Sequence, residues 1–215
     1  TPPEQQTISV DDVLKQVREI RDRALAAKNN QQTEQMLREA LAALTAILQR
    51  EPGNVEANLL TGELSMQAND YDRARTAFKD VLRNEPSNYR ANLGLGKIWI
   101  ASRYWRQAIS FLEAAEKVAP EAGRSEVLRL LAIAQAGAGN MEKAISNAQK
   151  AVQGNPRDLD ALQIRVQIRI EAAKTNPDEL TAALKDAEAF AQQATESVRQ
   201  QPWDRSSLAH LGAAY

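Results

Sequence analysis

The chain has no cysteine and only one histidine among its 215 residues. Without cysteine it has no disulfide, no thiolate nucleophile and no cysteine-bound zinc. The lone histidine, His210, has no second histidine with which to bind a metal. The 28 acidic residues are scattered, and no pair of carboxylates stands in an apolar stretch that would suit acid–base catalysis. We therefore predict no catalytic residue, no metal, no cofactor and no enzymatic activity in this segment.

The chain also lacks an excess of charge of one sign and a long apolar run. Its 27 basic and 28 acidic residues give a net charge of -1 without a basic cluster, which argues against nucleic acid as the partner. No stretch approaches the roughly 18 apolar residues needed to cross a bilayer, so we predict no direct membrane insertion. The absence of cysteine, the many Gln and Asn residues and the opening TPPEQQT slightly favour an exported or periplasmic location over a cytoplasmic one.

Aromatic residues make up only 5% of the chain, whereas alanine is abundant, and this composition favours helices. The dominant pattern is an internal repeat. EPGNVEANLLTG at residues 51–62 returns as EPSNYRANLGLG at residues 85–96, an offset of 34. Self-similarity near this period is typical of stacked helical repeats. Prolines separated by 34, 34, 36 and 46 residues mark the units: Pro52, Pro86, Pro120, Pro156 and Pro202.

Each unit contains two helical periods joined by a short polar turn, which predicts an antiparallel helical hairpin. The prolines end the second helix of one unit. An Asx residue two positions after the proline caps the first helix of the next unit. These four predicted caps are Asn54, Asn88, Asp158 and Asp204. Gly62 and Gly96 stand inside helices, where we expect them to permit close packing rather than to contact a ligand.

The repeat resembles the tetratricopeptide repeat, a 34-residue helix-turn-helix unit. Six residues match the family's small, aromatic, alanine, apolar, alanine and proline places: Gly96, Trp99, Ala108, Leu112, Ala115 and Pro120. The resemblance implies an all-α, right-handed α-solenoid of antiparallel helix hairpins. It also places Trp99, Tyr71 and Trp105 in the core. Asn58 and Asn92 depart from the family, which prefers a large apolar residue there; they either reach water or form hydrogen bonds, and the sequence leaves both open.

The repeat frame divides the chain into seven segments. They are a linker (1–7), a divergent N-terminal hairpin (8–54), three tetratricopeptide repeats (55–88, 89–124 and 125–158), a divergent repeat with an extended second helix (159–204) and the first helix of a truncated repeat (205–215). A half-repeat has no partner helix to cover it. We therefore expect either a fragment of a longer protein or a face that pairs with another copy, giving a possible homo-oligomer through the terminal repeats.

In the family, the first helices line a concave groove, which implies that this protein is a scaffold binding a peptide or helix of a partner protein. An apolar strip with a charged rim would mark the binding surface if it is exposed; otherwise neighbouring helices cover it. The strip consists of Leu59, Met66, Leu93, Ile100 and Ile133. The other predicted groove residues are Glu56, Glu63, Arg90, Lys97, Arg129, Gln163 and Gln167.

Two other functions fit the repeat as well. One is a self-assembly module that stacks through its terminal repeats, and the other is the substrate-recognition domain of a larger enzyme. The family's clamp for C-terminal carboxylates, by contrast, needs Lys and then Asn at two groove places. At these two places the repeat 55–88 has Leu59 and Glu63, and the repeat 89–124 has Leu93 and Lys97. We therefore do not expect a carboxylate-clamp cochaperone.

Overall fold

The computed structural model describes residues 9–26, 31–200, 209, 210 and 213. Within these residues the chain forms ten helices and no strand. The helices are α1 (Val10–Ala26), α2 (Gln31–Arg50), α3 (Val55–Gln67), α4 (Tyr71–Asn84), α5 (Tyr89–Ala101), α6 (Trp105–Lys117), α7 (Glu121–Gly137), α8 (Met141–Gly154), α9 (Leu159–Ala173) and α10 (Asp178–Gln200).

The chain divides into two compact units, Thr1–Ile98 and Trp99–Tyr215. In the first unit α1 packs against α2 and α3, α2 packs against α3, and α3 packs against α4. In the second unit α6 packs against α7, α7 against α8 and α9, α8 against α9, and α9 against α10. Within the two units, α3 and α4, α7 and α8, and α9 and α10 are joined by turns of three or four residues, so each of these pairs runs antiparallel.

The predicted helix boundaries are set by local chemistry. Helices α2, α4, α6 and α8 end two or three residues before one of the repeat prolines. The side-chain oxygens of Asn54, Asn88 and Asp158 each accept a hydrogen bond from the backbone N–H three residues further on, at 2.9, 3.0 and 3.0 Å. These three predicted caps are therefore confirmed, whereas Asp204 lies outside the described residues. Helix α7 begins at Glu121, four residues before the repeat boundary expected at 125.

Phe78 on α4 is among the large side chains that the first unit buries fully, with 1% of its surface exposed. Gly62 and Gly94 face opposite edges of its ring. A Cβ added at Gly62 would lie 2.5 Å from Cε1 of Phe78, and a Cβ added at Gly94 would lie 2.4 Å from Cε2. The prediction that Gly62 permits close packing is therefore confirmed. Of the two glycines in the second phrase, Gly94 contacts the ring, while Gly96 is buried.

The two unusual asparagines form hydrogen bonds inside the fold. Asn58 is 5% exposed, and its Nδ2 donates to the carbonyl oxygens of Pro52 and Asn54 at 2.9 and 3.0 Å. Asn92, which is 2% exposed, makes the same two bonds one repeat later. Each asparagine thus ties the start of a first helix to the proline loop that precedes it, because buried carbonyl oxygens need a donor.

The aromatic residues predicted to lie in the core are buried to different extents. Tyr71 is 39% exposed, so its predicted core position is wrong. It opens α4 at the turn, where its hydroxyl donates to Oδ1 of Asn69 at 3.3 Å. Trp105 is half-buried and lies against Gly137, and Trp99 packs edge-to-face on Tyr104 with ring centroids 5.5 Å apart.

Candidate protein-binding surface

Three first helices of the first unit meet in a network of ion pairs. The guanidinium of Arg90 on α5 donates to two carboxylates of α3, through Nη1 to Glu56 at 2.7 Å and through Nε to Glu63 at 2.8 Å. Each carboxylate also accepts from α1. Arg18 lies 3.3 Å from Glu56, and Arg21 lies 3.0 Å from Glu63. Because Arg90, Glu56 and Glu63 each make two of these contacts, the network links α1, α3 and α5.

Burial of this network and pairing within it change the pKa of its arginines in opposite directions. Burial lowers the pKa of Arg90, but hydrogen bonding and charge attraction from Glu63 and Glu56 outweigh it and raise the pKa above its ordinary value. The pKa of Arg21 is raised in the same way, with Glu63 and Asp22 outweighing the effect of burial. Both guanidinium groups are therefore charged at every physiological pH.

A cavity of about 380 Å³ lies beside this network. Its apolar wall comes from Phe78, Leu93, the backbone at Gly94 and the thioether of Met66. Its polar rim comes from five charged side chains and one amide, which are Arg21, Asp22, Glu63, Arg90, Lys97 and Gln67. An apolar wall with a few fixed polar groups is the composition that favours binding of a ligand or a partner's side chain.

The structure brings together most of the groove residues predicted in the first unit. Glu56, Glu63 and Arg90 pair with each other, and Met66 and Lys97 line the same cavity. Only part of the predicted apolar strip is accessible to a partner. Leu59 is 3% exposed and Leu93 8% exposed, so neighbouring helices cover both, although Leu93 still contributes to the cavity wall.

In the second unit the predicted groove residues lie on the end of α5 and on α7 and α9. Ile100, Ile133 and Gln163 are half-buried, and Gln167 is exposed. Arg129 forms an ion pair with Asp160 at 3.1 Å, which joins α7 to α9. Nε2 of His210 lies 2.9 Å from the other oxygen of the same carboxylate, and the imidazole packs edge-to-face on Phe190.

The largest feature that sequence reasoning missed is a second charged cluster, between α9 and α10. Asp186 forms ion pairs with Arg165 at 2.7 Å and with Arg169 at 3.1 Å, while Glu179 lies 3.7 Å from Arg169. Burial and repulsion from Arg169 lower the pKa of Arg165, against the attraction of Asp186. These residues lie in the divergent repeat. There the 34-residue period does not show which positions of α9 and α10 face each other.

The missed contributors in the first unit, Arg18 and Arg21, also lie outside the regular repeats. One signal for the network was present in the sequence. Glu56 and Arg90 occupy the same place in successive repeats with opposite charges, and equivalent places in adjacent repeats lie side by side.

Within the described residues there is no cluster of three or more potential metal ligands. No helix in the described part of the chain is long and apolar enough to cross a membrane.

The tetratricopeptide repeat pattern matches residues 24–84 and 65–134, which together span just over half of the chain. The chain belongs to the tetratricopeptide repeat family. Tetratricopeptide repeats are typically noncatalytic modules, and membership supports a protein-interaction scaffold as the broad class of function. No curated protein sequence matches the chain.

Solved structures share the tetratricopeptide fold over most of the chain. A double mutant of MamA RS-1 has a TM-score of 0.71 and 24% identity, covering 88% of this chain and 98% of its own. MamA 41-end from Desulfovibrio magneticus RS-1 has a TM-score of 0.65 and 25% identity, with coverages of 84% and 98%. YrrB, described as a tetratricopeptide protein with an unusual peptide-binding site, has a TM-score of 0.59 and 18% identity, with coverages of 80% and 82%. These likenesses establish the all-α fold of antiparallel helix hairpins.

Proposed function

We propose that this protein is a noncatalytic scaffold that binds a peptide or helix of a partner protein on the face formed by its first helices. The observation that carries the proposal is the cavity of the first unit, which α1, α3 and α5 line together with Phe78 of α4. Its apolar wall supplies area for a hydrophobic contact, and its charged rim supplies orientation. The peptide-binding site named for YrrB supports the same use of this fold.

The second unit offers a face of related composition on α7 and α9. This face combines one cation, one apolar side chain and two amides, which are all at least partly accessible: Arg129, Ile133, Gln163 and Gln167. We propose these residues, with Ile100 as the apolar residue at the end of α5, as a binding surface of the second unit by itself. The accessible members of both units, rather than the covered Leu59, are the ones expected to contact a partner.

Site-specific photo-crosslinking tests the proposal. A photoreactive phenylalanine analogue replaces Met66, which lines the cavity, and in a matched control it replaces Lys79, which is exposed on the second helix α4. Position 66 should crosslink a partner in native extract, and position 79 should not. Equal crosslinking at both positions, or none at position 66, would contradict the assignment. If the product at position 66 is a second copy of this chain, self-assembly replaces partner binding as the function.

A further inference from the structure

The hairpin formed by α9 and α10 carries an exposed apolar patch. Within the described residues six large apolar side chains are exposed, and three of them lie close together on either side of the turn between these two helices. They are Ile170, Leu180 and Leu184, with exposed fractions of 50%, 52% and 59%. Single exposed apolar residues are normal on a protein surface, whereas a group of them marks an interaction site.

The position of Ile170 shows which side of α9 the patch occupies. Ile168 and Ala172 are buried, and Ile168 packs against Ala144 and Ala148 of α8. Ile170 is two residues away from each of them, which is about 200° around the helix. It therefore lies on the side of α9 that faces away from α8.

The two leucines lie on the same side of the hairpin. On α10, Asp186 pairs with arginines of α9, and Phe190 clusters with apolar residues of α9. Leu180 and Leu184 are one helical turn apart, on a stripe about 120° around α10 from those two residues. Because α9 and α10 are right-handed and antiparallel, this stripe lies on the same side as Ile170. Among α6 to α9, α10 packs against α9 alone, so none of these helices covers the leucines.

The other exposed apolar residues do not form a second patch. Tyr71 opens α4 in the first unit, and Tyr104 and Val118 flank opposite ends of α6, about 20 Å apart. A head-to-tail contact joins two different surfaces, whereas a two-fold contact needs only one surface, which meets its own copy. The described surface has one apolar patch, so two copies of the chain bury it most completely against each other.

The size of the patch fits a reversible contact. Each of the three side chains exposes about 100 Å², so the patch offers about 300 Å² of apolar surface, within the range that is often functional. With the polar residues around it, a two-fold contact over this patch reaches the lower end of the range of about 1,200–2,000 Å² for specific interfaces. Such a dimer should form and dissociate with concentration.

We propose that Ile170, Leu180 and Leu184 form the interface of a homodimer, in which α10 packs antiparallel on α10 of a second copy. Leu180 of each copy contacts Leu184 of the other, and Ile170 covers the edge of the contact. The interface closes on itself and gives dimers without longer polymers. This proposal goes beyond partner binding and uses none of the residues proposed for it. A dimer carries each partner-binding surface twice, which raises the avidity for a partner that repeats its binding segment.

Sedimentation velocity of the full 215-residue chain tests the dimer. Between about 5 and about 500 μM the wild type should pass from monomer to dimer, with no larger species. Leu184→Glu should weaken dimerisation at least about tenfold, because it buries a charge in the contact. Val118→Glu is the matched control, since it replaces an exposed apolar residue outside the patch and should dimerise like the wild type. Circular dichroism checks the helicity of both variants.

Added salt separates an apolar interface from an ionic one. Raising sodium chloride to about 0.5 M screens exposed charges and should leave the dimer intact. A wild type that stays monomeric at every concentration, or a dimer that Leu184→Glu does not weaken, would overturn the proposal. So would larger polymers, or equal effects of the two glutamate variants.

Crosslinking tests the interface with all three apolar side chains in place. The chain has no cysteine, so Thr181→Cys introduces a single thiol at an exposed position next to Leu180. A short bismaleimide should join these chains into covalent dimers and should leave Val118→Cys chains as monomers. Equal crosslinking at the two positions, or none at position 181, would contradict the interface.

This proposal and the proposed function fail separately. A monomeric wild type whose position 66 crosslinks a partner rejects the dimer interface and keeps the scaffold function. A concentration-dependent dimer without a crosslinked partner keeps the interface and rejects the scaffold function.

Discussion

The clearest test of the packing is the substitution Gly62→Ala, studied with and without the ring that it would meet. In an ordinary helix interior this change stabilises by about 1 kcal/mol, because alanine has the higher helix propensity. Here the new Cβ would lie 2.5 Å from Cε1 and 2.6 Å from Cζ of Phe78. The ring cannot retreat, since Gly94 closes its other edge. Overpacking of this kind costs about 1–3 kcal/mol, and we expect the upper end, for a net loss of about 2 kcal/mol.

The same change should reverse its sign when the ring is absent. Phe78→Leu by itself should cost about 1–2 kcal/mol through lost buried contacts. Leucine lacks the Cε1 and Cζ atoms that the new methyl group would meet. Gly62→Ala in the Phe78→Leu background should therefore regain about 1 kcal/mol of helix propensity, which gives a coupling of about 3 kcal/mol between the two positions.

Urea unfolding followed by circular dichroism at 222 nm measures the four members of this cycle, with the slope checked for a common transition. Gly154→Ala is the matched control, because nothing lies within 4 Å of a Cβ at that position of α8. It should raise the free energy of unfolding in either background. If Gly62→Ala costs the same with phenylalanine and with leucine at position 78, the reasoning from close packing is refuted.

Three further predictions concern single interactions. Asp186→Asn should lower the free energy of unfolding by about 3 kcal/mol, because the largely buried Arg165 and Arg169 lose the carboxylate they share; Asp186→Glu, which keeps the charge, should lose less in the same urea titration. Arg103→Gly should raise the melting temperature, since Arg103 has a φ of 59° and a non-glycine residue in the left-handed region costs about 1–2 kcal/mol; a lower melting temperature would contradict this. Asn92→Ala should cost about 2 kcal/mol by removing two buried hydrogen bonds, and an unchanged urea midpoint would show that these bonds contribute nothing.

The repeat frame was predictable because its signals are local. Each signal acts on residues only a few positions away. A proline has no N–H to donate, an Asx side chain caps the next helix, and apolar residues recur at helical spacing. The three testable caps, Asn54, Asn88 and Asp158, occur where the sequence placed them. The resemblance to the tetratricopeptide repeat then supplied the hairpin fold, and the family match and the solved structures confirm it.

The candidate site was predictable only in part. The repeat frame put Glu56, Glu63 and Arg90 on first helices, but it did not show that they pair with each other. Arg18 and Arg21 were missed because α1 belongs to a divergent hairpin with no repeat register, and long arginine side chains reach across helices to partners about 40 residues away. Pairing over that distance depends on how the helices pack.

The sequence by itself determined the repeat frame, the caps at Asn54, Asn88 and Asp158 and the family to which the chain belongs, since these depend on backbone sterics and on spacing along the chain. It did not determine that α7 begins at Glu121. Only the tertiary structure decided what each repeated residue does. It buried Leu59 and Leu93, turned Asn58 and Asn92 toward the proline loops, and placed Gly94 rather than Gly96 against Phe78. The physical reason is that burial and hydrogen bonding depend on the neighbours that packing brings within a few ångströms, and spacing along the chain does not show which neighbours those are.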